Sequence, residues 1–184
     1  SETIQIAIDD THRFGTDAFL LEHFAAVRGI DTVCDLCAGC GIIGLLMLRR
    51  ERPPQSVTAV EIAPDAVELM RHTAEISSLT HFAPLRGDLR EIRTLLPAHS
   101  FRLVTCNPPY FPAGSGYLCP EDSRRRARHE QKESCTTGEV CDAAAWLLQY
   151  GGRFCLCQRP ERLTDVLLAM RQAGLEPKRL RWVQ

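Results

Sequence analysis

The chain has 184 residues, of which 45% are hydrophobic and 24% are charged. This composition predicts a single globular domain over residues 1–184. Apolar runs stay below the ~20 residues that span a bilayer and no signal segment opens the chain, so we expect a cytoplasmic protein without a membrane partner. The formal net charge of -1 argues against broad, sequence-independent binding of nucleic acid. Any contact with RNA is therefore expected to be local.

Strand-like and helix-like patterns alternate along the chain. Short β-branched or alternating segments predict strands at residues 4–8, 32–36, 57–61, 82–85, 102–106, 153–158 and 178–183. Apolar residues at helical spacing predict helices at residues 17–28, 42–50, 64–76, 137–150 and 160–173. This alternation predicts an α/β fold with a doubly wound, mostly parallel, Rossmann-like sheet. Ligands of such sheets bind beyond the carboxyl ends of the strands.

A glycine-rich loop follows the first predicted strand. The run DLCAGCGIIG begins at Asp35 and places Gly39, Gly41 and Gly44 in a G-x-G-x-x-G pattern. Glu61 follows 22 residues after Gly39, where an acid can accept hydrogen bonds from ribose hydroxyls. These residues fit a nicotinamide dinucleotide or S-adenosylmethionine. Asp35 favours S-adenosylmethionine, because a carboxylate suits an ammonium group and repels a pyrophosphate.

Asp88 follows the third predicted strand and has two interpretations. Its carboxylate can accept a hydrogen bond from an adenine amino group of the cofactor. It can equally serve as the N-cap of a helix. The residues alone leave both interpretations open.

The fourth predicted strand ends in Asn107, Pro108, Pro109 and Tyr110, the most specific motif of the chain. The side-chain oxygen of Asn107 and the carbonyl of Pro108 can both accept from one planar NH2 group, which would localise its lone pair. The prolines fix these acceptors in advance, and Tyr110 can stack on the target group. The motif predicts methyl transfer to an exocyclic nitrogen without a metal, with a rigid turn as the alternative.

The chain resembles the class I methyltransferases of the tRNA adenine-N6 type, which act beside the anticodon of a valine tRNA. The resemblance rests on DLCAGCGII from Asp35, VEI around Glu61 and NPPYF from Asn107. It continues through ARHE from Ala127, RPERL from Arg159 and FGTDA from Phe14, and therefore covers essentially the whole chain. It implies S-adenosylmethionine as the cofactor, a tRNA partner, and methylation of an adenine N6.

The resemblance also implies roles for further residues. In the family, the glycine loop and the acid that matches Glu61 hold the cofactor, and the region that matches residues 14–17 closes over its methionine end. The resemblance therefore implies these cofactor-binding residues: Thr16, Asp17, Asp35, Cys37, Gly39, Gly41, Glu61, Ile62, Asp88, Leu89 and Asn107. Substrate contacts are expected from Tyr110, Phe111, Arg124, Arg125, Arg126, Arg128 and His129. The segment from Cys106 to Ser134 shows no clear period and is predicted to be a long loop. Its basic run, Arg124, Arg125, Arg126 and Arg128, can bind RNA phosphates or form a solvated surface.

Two departures from the family accompany the resemblance. Cys37 stands where such loops commonly carry a glycine. The chain also stops inside its presumed sixth strand, so we expect either that C-terminal strands of a complete class I sheet are missing from this sequence or that the edge of its sheet is left open.

Alternative functions remain open at this stage. A glutamine-N5 methyltransferase acting on a release factor shares the Asn-Pro-Pro-Tyr motif, and a non-catalytic RNA-binding protein can share the fold. The nine cysteines show no zinc-ribbon spacing, and we interpret Cys34, Cys37 and Cys40 as small core or loop residues rather than metal ligands.

Overall fold

A computed structural model describes residues 4–9, 14–108 and 135–183 of the chain. Within these residues one sheet contains β1 (Thr32–Leu36), β2 (Ser56–Glu61), β3 (Phe82–Arg86), β4 (Phe101–Cys106) and β5 (Leu148–Leu156). Its strand order is β3-β2-β1-β4-β5, and each neighbouring pair is parallel. The predicted doubly wound parallel sheet is therefore confirmed. From β1 the chain first adds β2 and β3 on one side, and then adds β4 and β5 on the other side.

Six α-helices flank the described sheet: α1 (Thr16–Ala25), α2 (Ile42–Leu48), α3 (Pro64–Ile76), α4 (Ile92–Leu95), α5 (Thr137–Leu147) and α6 (Leu163–Gln172). Local chemistry sets their ends. Pro64 occupies the first turn of α3, and Thr136 forms a reciprocal capping box with Glu139 at the start of α5. None of the helices in the described ranges is long and apolar enough to cross a bilayer.

Two apolar clusters cover the two faces of the sheet. Successive residues of a strand point to opposite faces, so Val33 joins one cluster while Cys34 joins the other. Helices α1, α2 and α3 pack on the first cluster, and α5 packs on the second. The glycine loop emerges from β1, between these two layers.

The strand predicted at residues 4–8 is wrong. The backbone N–H groups of Gln5 and Ala7 donate to the hydroxyls of Ser77 and Thr73, both at 2.9 Å. The segment therefore runs along α3, and side-chain hydroxyls replace a neighbouring strand as its hydrogen-bond partners. An alternating pattern identifies one apolar face, here Ile4 and Ile6 against the core, without identifying what covers it.

The strand predicted at residues 178–183 is also wrong. The structure gives these residues no secondary structure, and the side chains of Leu180, Trp182 and Val183 are exposed. Arg179 instead lies 4.8 Å from the ring centroid of Phe24 on α1. A strand needs a ladder partner, which the alternation of residues cannot supply.

The border between α5 and β5 falls earlier than predicted. The helix predicted to reach residue 150 ends at Leu147, and β5 begins at Leu148 rather than at Arg153. Phe101 pairs with Leu148, but Leu103 pairs with Arg153, so the strand contains an irregularity around Gly151. The strand continues through Gly151 and Gly152. The predicted helix at 160–173 similarly begins as a 3-10 turn, Pro160–Arg162.

Candidate active site

Four loops that follow β1, β2, β3 and β4 lie at one edge of the sheet. Because the strands are parallel, their carboxyl ends meet there. The sequence motifs follow the same strands: Cys37 after β1, Glu61 at the end of β2, Asp88 after β3 and Asn107 after β4. The fold therefore brings the predicted motifs to the same edge of the sheet.

The loop after β1 owes its shape to two of its glycines. Gly41 has φ +79°, and a Cβ atom there would lie 2.7 Å from the ring of Phe82 and 2.9 Å from the sulfur of Met70. Gly39 has φ +55° and nothing within 4 Å of its missing Cβ. Gly41 thus allows tight packing of the loop on the core, while Gly39 leaves open space on its own side.

The Glu61 carboxylate fastens this loop to β2. Its Oε2 accepts from the Gly39 N–H at 2.8 Å. Its Oε1 accepts from the N–H groups of Ile62 at 2.9 Å and Ala63 at 3.0 Å. The predicted acid is therefore held beside the predicted glycine, and its position is fixed by three backbone donors.

Asp35 lies on β1, immediately before the loop, and is 0% exposed. Thr105 of β4 donates its hydroxyl to Asp35 Oδ1 at 2.6 Å, while Oδ2 has no hydrogen-bond partner. Burial raises the pKa of this carboxyl to about 7; the Thr105 hydrogen bond opposes that rise and the charge of Glu61 adds to it.

Asp88 forms the N-cap of the 3-10 turn Leu89–Glu91, accepting from the Arg90 N–H at 2.9 Å. The Arg90 side chain also binds both carboxylate oxygens, with Nε at 2.9 Å and 2.8 Å. This pairing lowers the pKa of Asp88. The capping interpretation is confirmed, and the cofactor role stays a prediction that requires Asp88 to share its oxygens with Arg90.

Two thiols lie close together at the start of the loop after β1. Cys37 has φ +55°, so a cysteine adopts the left-handed conformation at the position where a glycine is common. Its sulfur lies 3.8 Å from that of Cys135, which precedes α5. The pKa of Cys37 is raised above that of a free thiol, mainly through its hydrogen bond with the Cys106 thiol. Within the described ranges no three ligand-type side chains are grouped as a metal site would require.

Asn107 follows β4 directly and is half-buried, and Pro108 is buried. Cys157 donates its N–H to the carbonyl of Cys106 at 3.1 Å, which ties the end of β4 to the residue after β5. The remaining predicted catalytic and substrate residues lie outside the described residues: Pro109, Tyr110, Phe111, Arg124, Arg125, Arg126, Arg128 and His129.

The other predicted cofactor residues occupy varied positions. Thr16 is exposed and Asp17 half-buried in the first turn of α1. Ile62 is half-buried beside Glu61, and Leu89 is 7% exposed within the second apolar cluster. The Leu89 side chain therefore contributes to the core.

Sequence reasoning did not identify Thr105, Arg90 or Cys135 as parts of this site. Thr105 is separated from Asp35 by 70 residues, and only the register of β1 with β4 brings them together. Arg90 is two residues from Asp88, so an Asp-x-Arg pairing after a strand is a signal that was available.

Comparison with known proteins places these features in a family. The profile of the methyltransferase small domain matches residues 10–117. Curated relatives named tRNA1(Val) (adenine(37)-N6)-methyltransferase include those of Tolumonas auensis (31% identity, 88% of this chain), Shewanella amazonensis (36%, 62%) and Escherichia coli O157:H7 (28%, 86%). The chain spans 65%, 47% and 64% of the lengths of these three relatives.

Solved structures share the fold at lower identity. TrmN from Thermus thermophilus is 23% identical and has a TM-score of 0.60, covering 87% of this chain and 40% of its own. Precorrin-6y C5,15-methyltransferase from Geobacter metallireducens is 14% identical with a TM-score of 0.62, covering 94% of this chain and 79% of its own.

Proposed function

We propose, since the chain belongs to the methyltransferase small domain family, that it transfers a methyl group from S-adenosylmethionine to the exocyclic N6 of an adenine in tRNA. The observation that carries this proposal is the position of Asn107, which follows the strand adjacent to β1 and its glycine loop. The names of the curated relatives support tRNA as the substrate class. A tRNA substrate agrees with the cytoplasmic location expected from the sequence.

Residues of the site fit S-adenosylmethionine. The open side of Gly39 allows a ligand to approach the backbone closely. Glu61 lies beside that glycine, and its carboxylate can accept from ribose hydroxyls with the lone pairs that its three backbone donors leave. The unpartnered Oδ2 of Asp35 suits a cationic group. These three residues would hold the cofactor.

The chain's own contribution to the chemistry comes from Asn107 and Pro108. When bound, S-adenosylmethionine supplies an electrophilic methyl group. An adenine amino nitrogen is a poor nucleophile, because its lone pair is delocalised into the ring. The Asn107 side-chain oxygen and the Pro108 carbonyl accept hydrogen bonds from the two N–H groups of this nitrogen, and so favour a lone pair localised on it. Neither acceptor needs a metal or a covalent intermediate.

Methyl transfer to total tRNA tests this proposal. Tritiated S-adenosylmethionine is expected to label tRNA, and nucleoside analysis is expected to show N6-methyladenosine. Asn107→Ala should lower the transfer rate about 100-fold, on the scale of a lost transition-state hydrogen bond. It should change S-adenosylhomocysteine affinity less than twofold, since the Asn107 side chain acts on the target nitrogen, while the contacts that anchor the cofactor come from the glycine loop and Glu61.

The matched control is Gln172→Ala, which removes a side-chain amide exposed at the end of α6. It should leave both the rate and the affinity unchanged. A near-normal transfer rate in the Asn107 variant would show that the motif is only a rigid turn. Label appearing in a release factor and not in RNA would instead establish glutamine-N5 methylation.

A further inference from the structure

Asp35 and Thr105 form a buried polar pair across two central strands. They are register partners on β1 and β4, and both are 0% exposed. The Thr105 hydroxyl donates to Oδ1 at 2.6 Å, a short bond typical of a charged acceptor. A valine would fill nearly the same volume, so the hydroxyl and not the shape distinguishes threonine here.

The surroundings of Asp35 contain an acid and thiols. In the described part of the chain, the charged group that acts on Asp35 is Glu61 from the end of β2, and no basic side chain pairs with it. Burial raises the pKa of three nearby thiols, those of Cys34, Cys40 and Cys106, and the Asp35 charge adds to the rise of each. A buried carboxylate in such surroundings needs either a proton or an external cation.

Asp35 also lies close to the cofactor loop. It precedes Cys37 by two residues, and its charge reaches Cys40 within the loop. A cationic ligand seated on this loop would therefore lie close to Asp35. Because Oδ1 is already engaged by Thr105, Oδ2 is the oxygen that remains for that ligand.

We propose that Thr105 is a positioning residue, whose hydroxyl occupies one oxygen of Asp35 and so directs the other oxygen to the ammonium group of the cofactor's methionine portion. This inference rests on the proposed function, because it requires S-adenosylmethionine in the loop. Thr105 acts through Asp35 and does not itself touch the cofactor.

The proposal has a signature in proton uptake and release. The pKa of Asp35 is about 7 in the free protein, so much of the carboxyl is protonated below that pH. An ammonium partner favours the ionised form, and binding must then release a proton. Affinity for an ammonium-bearing ligand should therefore rise as the pH increases towards about 7 and level off above it. Loss of the Thr105 hydrogen bond raises the pKa further and moves this rise to higher pH.

Calorimetry with two product-like ligands provides the test. S-adenosylhomocysteine carries the ammonium group, whereas 5′-methylthioadenosine lacks the whole amino-acid portion. Thr105→Val is expected to weaken S-adenosylhomocysteine binding about tenfold at pH 7 and to shift its pH profile upward. Its affinity for 5′-methylthioadenosine should stay within twofold of wild type. Thr105→Ser should restore both the affinity and the profile.

Thr58→Val is the matched control, since Thr58 is a half-buried threonine on β2. It should leave both ligands and the pH profile unchanged. If Thr105→Val does not fold, the Thr105→Ser and Thr105→Ala variants give the same comparison, because they differ by the hydroxyl alone.

The outcomes separate this inference from the proposed function. Wild-type protein that binds neither ligand would contradict the proposed cofactor. Wild-type binding with an unchanged Thr105→Val profile would overturn the positioning role alone. Equal losses for the two ligands would also overturn it, because they would indicate a general structural effect. Proton release with S-adenosylhomocysteine and none with 5′-methylthioadenosine would support it.

Discussion

The Glu61 carboxylate accepts hydrogen bonds from three backbone N–H groups, and two of these groups belong to the residues that follow it in the chain. The third, from Gly39, spans 22 residues and joins β2 to the glycine loop. The same side chain therefore has a structural task and a proposed ligand-binding task. A substitution at this position must disturb both.

Glu61→Ala is expected to weaken S-adenosylhomocysteine binding by about 1–3 kcal/mol, because a charged acceptor of the loop N–H is lost. Glu61→Gln should lose nearly as much, since one end of its amide is a donor and must face a backbone N–H. Calorimetry measures both, with the exposed Glu68→Ala on α3 as the control. Wild-type affinity in the alanine variant would contradict the role of Glu61.

At the level of single residues, the sequence predicted those that belong to local motifs. Gly39, Gly41 and Glu61 were recognisable because loop glycines and a strand-end acid have a fixed spacing along the chain. Thr105 was not recognisable, because its partnership with Asp35 exists only through strand pairing. Asp88 retained two interpretations, and its contact with Arg90 established the capping one.

At the level of elements, Arg153 links β5 to the end of α1. Its guanidinium donates to the carbonyls of Ala25 at 2.6 Å and Ala26 at 3.2 Å, and it binds Asp31 at 2.5 Å. The Asp31 side chain is 4% exposed and that of Arg153 28%. The arginine therefore satisfies the helix's last carbonyls and a buried carboxylate together.

Arg153→Met should lower the free energy of unfolding by about 3 kcal/mol, because it leaves Asp31 buried without its cation. The Arg71→Met control removes an exposed pair with Glu68 and should cost at most about 1 kcal/mol. Urea titration followed by circular dichroism measures both variants. A loss below about 0.5 kcal/mol for Arg153→Met would show that water or a neighbouring group replaces the arginine.

Elements were predictable from the sequence where burial imposes a pattern. The bounds of β1 were predicted correctly and those of β2 and β4 to within one residue, because these central strands bury residues on both faces. Those of β3, at one edge of the described sheet, were also predicted to within one residue. Residues 4–8 and 178–183 have a similar pattern but no strand, since the partner of a segment is not written in its own residues. The two-glycine irregularity in β5 concealed its true start.

At the scale of the whole molecule, a net charge of -1 gives no general attraction to RNA. The proposed binding to tRNA would then depend on local charge, for which the sequence offers Arg124, Arg125 and Arg126. Their replacement by alanine is expected to weaken tRNA binding and to flatten its salt dependence by about one unit of slope per lost phosphate contact. S-adenosylhomocysteine affinity should be unchanged.

Filter binding at several salt concentrations measures this effect. The control replaces three exposed arginines elsewhere, Arg49, Arg52 and Arg71, and keeps the same net charge as the test variant. Equal slopes in the two triple variants would indicate that the loop arginines contact no phosphate. This prediction comes from the family resemblance. Charge and composition alone were equally compatible with a solvated surface that contacts no RNA.

The glycine loop belongs to both layers of the core: Ala38 and Cys40 lie in one apolar cluster, and Cys37 packs against the other. A ligand that binds the folded loop and not the unfolded chain raises the free energy of unfolding of both layers. The increase depends on the ratio of the ligand concentration to its Kd. At a concentration of 100 times its Kd, this amounts to about 2.7 kcal/mol. For a chain of this length the melting temperature would rise by roughly 5–10 °C. Thermal unfolding therefore becomes a measure of ligand occupancy that requires neither RNA nor turnover.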